Sequence, residues 1–192
     1  MAPTSLAAGR GAGAQSMSRR LHIGGVAAAP GWEVLNANAA PCVDHVGNAN
    51  DLSRFADGTF SDLYASHVLE HFDHAGEVQA VLVEWLRVLA PGGRLHVSVP
   101  DLDVLADLFL LKDRLSIDER FKVMVMMFGA HADRYDYHQV GLNEEILALL
   151  LTGAGFIGVE RVADLGFFED TSRAKFHGMP ISLNMRATRP GG

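Results

Sequence analysis

His67-Val68-Leu69-Glu70-His71 spells H-x-x-E-H. On a helix that spacing sets two imidazoles on one face and can bind zinc. Such a site needs a further carboxylate from far downstream, for which Glu144 or Glu145 is available, and His74 adds a nearby imidazole. A second grouping is Tyr135-Asp136-Tyr137-His138, whose histidine titrates near neutrality and suits a general base, with Asp136 or Asp101 to orient it. The plainer reading of His138 is a helix cap or a hydrogen bond within its loop. Asp101 follows Pro100 and suits either a substrate-side acid or the N-cap of a helix over 102–109.

Elements must hold these groups in place. Residues 61–65 are short, apolar-rich and bounded by turn formers, as a buried strand should be. Val78, Val81, Leu82, Trp85 and Leu89 then recur at helical spacing with no proline or glycine among them. Pro91-Gly92-Gly93 is expected to end that helix, with glycine supplying a left-handed cap, and 94–100 reads as a second strand. Strand, crossover helix and parallel strand wind right-handed. Ligands of such a sheet lie beyond the carboxyl ends of its strands. Ser66, His67, Pro100 and Asp101 are thereby expected on one rim.

Upstream, 20–23 reads as a strand running into Gly24-Gly25, and 33–36 as the next strand. Fewer than ten residues separate them, too few for a full crossover helix, so that helix is reduced to a turn or lost. Residues 43–46 suit a third short strand. Downstream, Ser116-Ile117-Asp118-Glu119 carries the capping-box pattern and opens a helix. Asn143 caps another, and 156–162 and 181–187 read as the final strands.

Composition excludes several classes. The chain has 192 residues, 48% hydrophobic and 20% charged, with a formal net charge of −7. That suits one globular domain and argues against a nucleic-acid partner. The single cysteine, Cys42, leaves no internal disulfide and fits a reducing, cytoplasmic setting. No apolar run approaches the roughly 20 residues that span a bilayer. Residues 1–18, rich in Ala, Gly and Ser, read as a flexible leader, and 19–190 as the domain, with a helical insert over about 102–140. Met124, Met126 and Met127 suit core packing or a dimer-facing surface.

With these motifs together, the chain resembles the class I S-adenosylmethionine-dependent methyltransferases, and more narrowly a branch of small predicted methyltransferases. The matching segments are 21–24 with Gly31-Trp32, 66–71, 84–93, 98–102, 137–144, and 168–172 with 181–184. The resemblance implies an α/β, Rossmann-like fold with a mostly parallel seven-stranded sheet, an antiparallel last strand and a shortened first crossover. It also implies S-adenosylmethionine as cofactor and S-adenosylhomocysteine as product. Gly24 and Gly25 then face the methionine part of the cofactor. Asn36 stands where the family has a carboxylate for the ribose hydroxyls, Asn48 where it has one for the adenine amino group, with Ala49 beside it. Val26 replaces the last glycine of the turn. Ser66, His67 and His71 complete the cofactor side, while His138, Asp101 and Tyr135 are the expected catalytic groups. No metal ligand is assigned in this reading.

The function implied is methyl transfer to an oxygen or nitrogen of a small-molecule or sugar-type acceptor, with no nucleic-acid or membrane partner and a homodimer as the expected assembly. One alternative is a catalytically silent methyltransferase-like scaffold, since amides replace both cofactor carboxylates. A minor alternative is a zinc hydrolase built on H-x-x-E-H.

Overall fold

The computed structural model describes residues 19–132 and 134–192; the expected leader lies outside them. Strands β1 (Arg19–Ile23), β2 (Glu33–Asn36), β3 (His45–Val46) and β4 (Phe60–Ser66) come first. Helix α1 (Glu77–Val88) and the long β5 (Leu89–Pro100) follow. Helices α2 (Leu102–Leu110), α3 (Ile117–Phe128) and α4 (Glu144–Gly153) lead to β6 (Ile157–Arg161). A small hairpin, β7 (Lys175–Phe176) with β8 (Met179–Pro180), precedes β9 (Ser182–Thr188). One seven-stranded sheet runs in the order β3-β2-β1-β4-β5-β9-β6. Every pairing in it is parallel except those of β9 with β5 and β6. This is the expected Rossmann-like architecture, and no helix stands between β1 and β2.

Both sheet faces are buried, which explains why the central strands read as nearly continuous apolar runs. On one face Leu21, Ile23, Leu63, Ala65, Leu95 and Val97 meet Val78, Val81, Leu82 and Trp85 of α1 and Leu147 and Leu151 of α4. Each of these larger side chains contributes roughly 1.5–3 kcal/mol by leaving water. Trp85 Nε1 also donates to the Ala49 carbonyl at 2.8 Å, tying the helix to the loop after β3. The opposite face, next to the missing crossover helix, is covered by aromatic packing. There His22 and Tyr64 of the sheet meet Trp32 and Phe168. Helices α2 and α3 share a separate small core of Leu105, Leu108, Leu115 and Val123 with Ile181.

One local expectation is corrected. Helix α1 ends before Pro91-Gly92-Gly93, because Leu89 already turns extended at φ −71° and ψ 140°. The Pro-Gly-Gly segment lies inside β5, where the register against β4 shifts between Phe60 and Asp62. The Ser116 capping box and the Asn143 cap form as read from sequence.

Candidate functional site

A cavity of about 400 Å³ opens at the carboxyl ends of β1, β2, β3 and β4. It sits where chain order reverses: β2 and β3 build outward on one side of β1, and β4 and β5 on the other. That is the usual ligand crevice of an open α/β sheet. Gly24, Leu35, Asn36, Asn48 and Ala49 form one wall, and His67, Val68, His71 and Phe72 the other. Arg134, Tyr135 and Gln139 of the loop between α3 and α4 close over it.

The first wall is tied down by its own backbone. Asn36 Nδ2 donates to the carbonyls of Gly24 at 3.2 Å and Gly25 at 3.0 Å, and its Oδ1 accepts from the Asn38 amide at 2.9 Å. A carboxylate could not make the two donated bonds. The amide at this position therefore braces the turn after β1. Gly24 holds φ +77°, the left-handed region that glycine tolerates, and a Cβ there would run into Val68 Cγ2. Gly25 lies against the His22 ring rather than on the cavity, with a built Cβ 2.7 Å from His22 Nδ1. Asn48 is held more loosely, its Oδ1 accepting from the Asn50 amide at 3.4 Å. Val26 is exposed and crowds nothing.

The second wall is built differently. His67 takes φ +55° and only Leu69–His71 form a short 3-10 turn, so His67 and His71 do not share a helical face. The zincin geometry that H-x-x-E-H would give on a helix is thus not adopted. Glu144, proposed as its distant ligand, pairs instead with Arg161 at 3.1 Å. Glu70 is 1% exposed, and neither carboxylate oxygen has a hydrogen-bond partner. Burial pushes its carboxyl up to about 8. His67 Nδ1 stands 3.4 Å from Glu70 Oε1, while its Nε2 meets Ser182 Oγ at 3.0 Å. Burial holds the His67 imidazole down at about 4, so it is neutral at physiological pH.

The remaining expected residues divide. Tyr135 lines the cavity, bonded by Arg134 Nη2. His138 does not line it. Its ring lies behind His71, 5.0 Å between centroids, with burial lowering its affinity for a proton. Ser66 turns the other way, its hydroxyl 3.1 Å from Thr171 Oγ1. Asp101 is buried, caps α2 through the Val104 amide at 3.5 Å and accepts from Arg161 at 2.8 Å. Its helix-cap reading is the one the geometry follows. Two lining or adjoining residues escaped sequence reading. Glu77 is the one carboxylate among the lining residues, and the H-x-x-E-H motif drew attention to Glu70's histidines rather than to Glu70. Glu70, His71 and His138 bring their ligand-type atoms within 4.8 Å of one another.

Residues 5–97 match the family model described as a methyltransferase domain. Over that stretch, just under half of the chain, the sequence is similar to the methyltransferase domain family. Solved structures share the fold of this methyltransferase domain at low identity. One is a possible exported protein from Bordetella parapertussis, at 12% identity and TM-score 0.56, covering 92% of this chain and 64% of that one. Another is the CurJ carbon methyltransferase, at 18% identity and TM-score 0.54, covering 91% and 49%. A third is an S-adenosylmethionine-dependent methyltransferase from Archaeoglobus fulgidus, at 14% identity and TM-score 0.55, covering 89% and 86%. The chain thus spans less than two thirds of the first two. No curated protein matches it in sequence.

S-adenosylmethionine is the cofactor of this methyltransferase family, and the cavity fits an adenosine-type ligand. Its volume lies within the roughly 300–1,000 Å³ typical of small-ligand pockets. Leu35, Ala49, Val68 and Phe72 offer apolar surface for a base, while Asn48 and the Gly24 backbone offer polar contacts. The donor set is neutral where the family carries carboxylates. No described helix is long and apolar enough to cross a membrane.

Proposed function

We propose that the chain transfers a methyl group from S-adenosylmethionine to an oxygen or nitrogen of a small-molecule or sugar-type acceptor. One observation carries the reading: a cavity of adequate size lies at the order reversal of a methyltransferase sheet, under a polar and aromatic loop. The cofactor's sulfonium supplies an already activated methyl group. The chain's own part is to align the partners and exclude water. Gly24, Asn48, Ala49 and Leu35 would hold the cofactor, with Asn36 acting through the turn it braces. Arg134, Tyr135 and Gln139 would face the acceptor. His138 is outside the lining, its ring 5.0 Å from that of His71, and would position His71 rather than take the acceptor's proton itself. A homodimer is part of the proposal, supported by Ile117, Phe121 and Phe128, which are exposed on α3.

The silent-scaffold reading has one observation in its favour, the full commitment of Asn36 to its own turn. The two readings part in a single assay. The full chain is incubated with methyl-labelled S-adenosylmethionine and a panel of hydroxyl and amine acceptors, and S-adenosylhomocysteine is measured. Acceptor-dependent product is expected. No product with any acceptor, together with no binding of either cofactor form, favours the scaffold.

A further inference from the structure

We propose that Glu70, His71 and His138 bind one divalent transition-metal ion, with Zn²⁺ the closest chemical match, in the wall of the cavity. The site itself does not depend on the methyl-transfer reading; its use in catalysis does.

The hydrogen-bond arithmetic of this wall leaves acceptors without donors. His71 Nδ1 is 3.2 Å from the Tyr137 carbonyl. A carbonyl only accepts, so Nδ1 carries the hydrogen and Nε2 a lone pair. His138 Nδ1 is buried with no partner, so it offers a lone pair in the tautomer that carries its hydrogen on Nε2. The Ser182 hydroxyl donates to the Thr171 carbonyl at 2.7 Å, so it must accept from His67 Nε2 at 3.0 Å. His67 therefore turns a lone pair toward Glu70 Oε1 at 3.4 Å. Both oxygens of the buried Glu70 lack a partner.

Two occupants could satisfy these groups. A proton shared between Glu70 and His67 serves one carboxylate oxygen, but leaves the other oxygen and His138 Nδ1 without a partner. A cation serves Glu70, His71 and His138 together, since their ligand-type atoms already lie within 4.8 Å of one another. Unpaired buried acceptors are costly, which favours the cation. Two imidazoles and one carboxylate suit Zn²⁺ or a neighbouring transition metal, whereas Mg²⁺ and Ca²⁺ take oxygen sets. The Tyr137 carbonyl behind His71 fixes the tautomer that ligation requires of it, as outer-shell partners of metal-bound histidines do. The ligand set differs from the one H-x-x-E-H suggests: His67 stands aside, and the distant ligand is His138 rather than Glu144 or Glu145. Because His71 lines the cavity, the ion would border it. There it could polarise an acceptor oxygen and lower its pKa.

The test uses the full chain. Metal content is measured after gel filtration. Chelator-treated protein is then titrated with Zn²⁺ and with Co²⁺, the latter followed by visible absorption. Glu70→Gln, His138→Gln and the exposed control His74→Gln are compared, and S-adenosylhomocysteine is titrated into each. One equivalent of metal is expected. Glu70→Gln and His138→Gln should each weaken it by more than the roughly 10–100-fold that loss of an outer-shell partner costs, with His74→Gln unchanged. Should Glu70→Gln fail to fold, the partly buried His138 still gives a usable variant. Absence of metal binding, or equal affinity in both ligand variants, overturns the site in favour of the shared proton. Metal binding without S-adenosylhomocysteine binding keeps the site and removes the methyl-transfer reading; the opposite pattern does the reverse.

Discussion

The two walls of the cavity handle polar groups in opposite ways. On the β1–β2 wall, Asn36 spends both donated bonds and one accepted bond on the chain itself. Across from it, Glu70 is buried with two unpartnered oxygens, among histidine nitrogens that present lone pairs. The first wall is rigid and neutral, and it shapes a crevice through backbone. The second is chemically unsatisfied and poised to take up something positive. The amide at Asn36 therefore serves the turn after β1 as a support, which a carboxylate there could not do.

The largest expected effect breaks the first wall. Gly24→Val combines positive-φ strain with a collision against Val68, a loss of about 2–5 kcal/mol, and it should remove cofactor binding. Thermal unfolding of Gly24→Val alone and with Val68→Ala checks the cause. The second change should restore part of the stability, and additive losses would put the strain in the backbone alone.

Next comes the ring behind Gly25. Burial holds His22 down at about 4 from an ordinary value of 6.5. As pH falls, the unfolded chain takes up this proton first, so stability is present above about 6.5 and is lost toward 4, levelling off below. His22→Phe should remove its share of that acid slope, about 3 kcal/mol across the window. Unchanged slopes in urea titrations at several pH values would contradict it.

Asn36→Asp sharpens the contrast between the walls. It restores the family's carboxylate but loses both bonds to the Gly24 and Gly25 carbonyls, costing about 1–3 kcal/mol. If Asn36 were only a ligand contact, urea midpoints would not move. The smallest effect belongs to Asn48→Ala. The side chain is exposed and held by one 3.4 Å bond, so stability should change by less than about 0.5 kcal/mol while S-adenosylhomocysteine affinity falls.

Local rules made much of the scaffold legible. Strand 33–36, the Ser116 capping box and the Asn143 cap follow from patterns within a few residues. The missing first crossover helix follows from chain length alone. The β7–β8 hairpin escaped notice because each strand has two residues, too few for an alternating pattern. Pro91-Gly92-Gly93 misled because a helix stop and a bulged strand start use the same residues. Within the site, Gly24, Asn36 and Asn48 could be located by motif, but Asn36's bonds could not. Those depend on where the Gly24 and Gly25 carbonyls point. The Glu70, His71 and His138 set was hidden for a similar reason: His138 arrives from a loop 67 residues downstream of His71, and Glu70 reads alone as one more acidic residue in a turn.

The most direct measurement is calorimetric titration of the purified chain with S-adenosylmethionine and S-adenosylhomocysteine. Micromolar binding of both, weakened by Asn48→Ala, is the result predicted for a working cofactor crevice with amides at 36 and 48. No heat at millimolar ligand, from a chain that melts cooperatively, would contradict it.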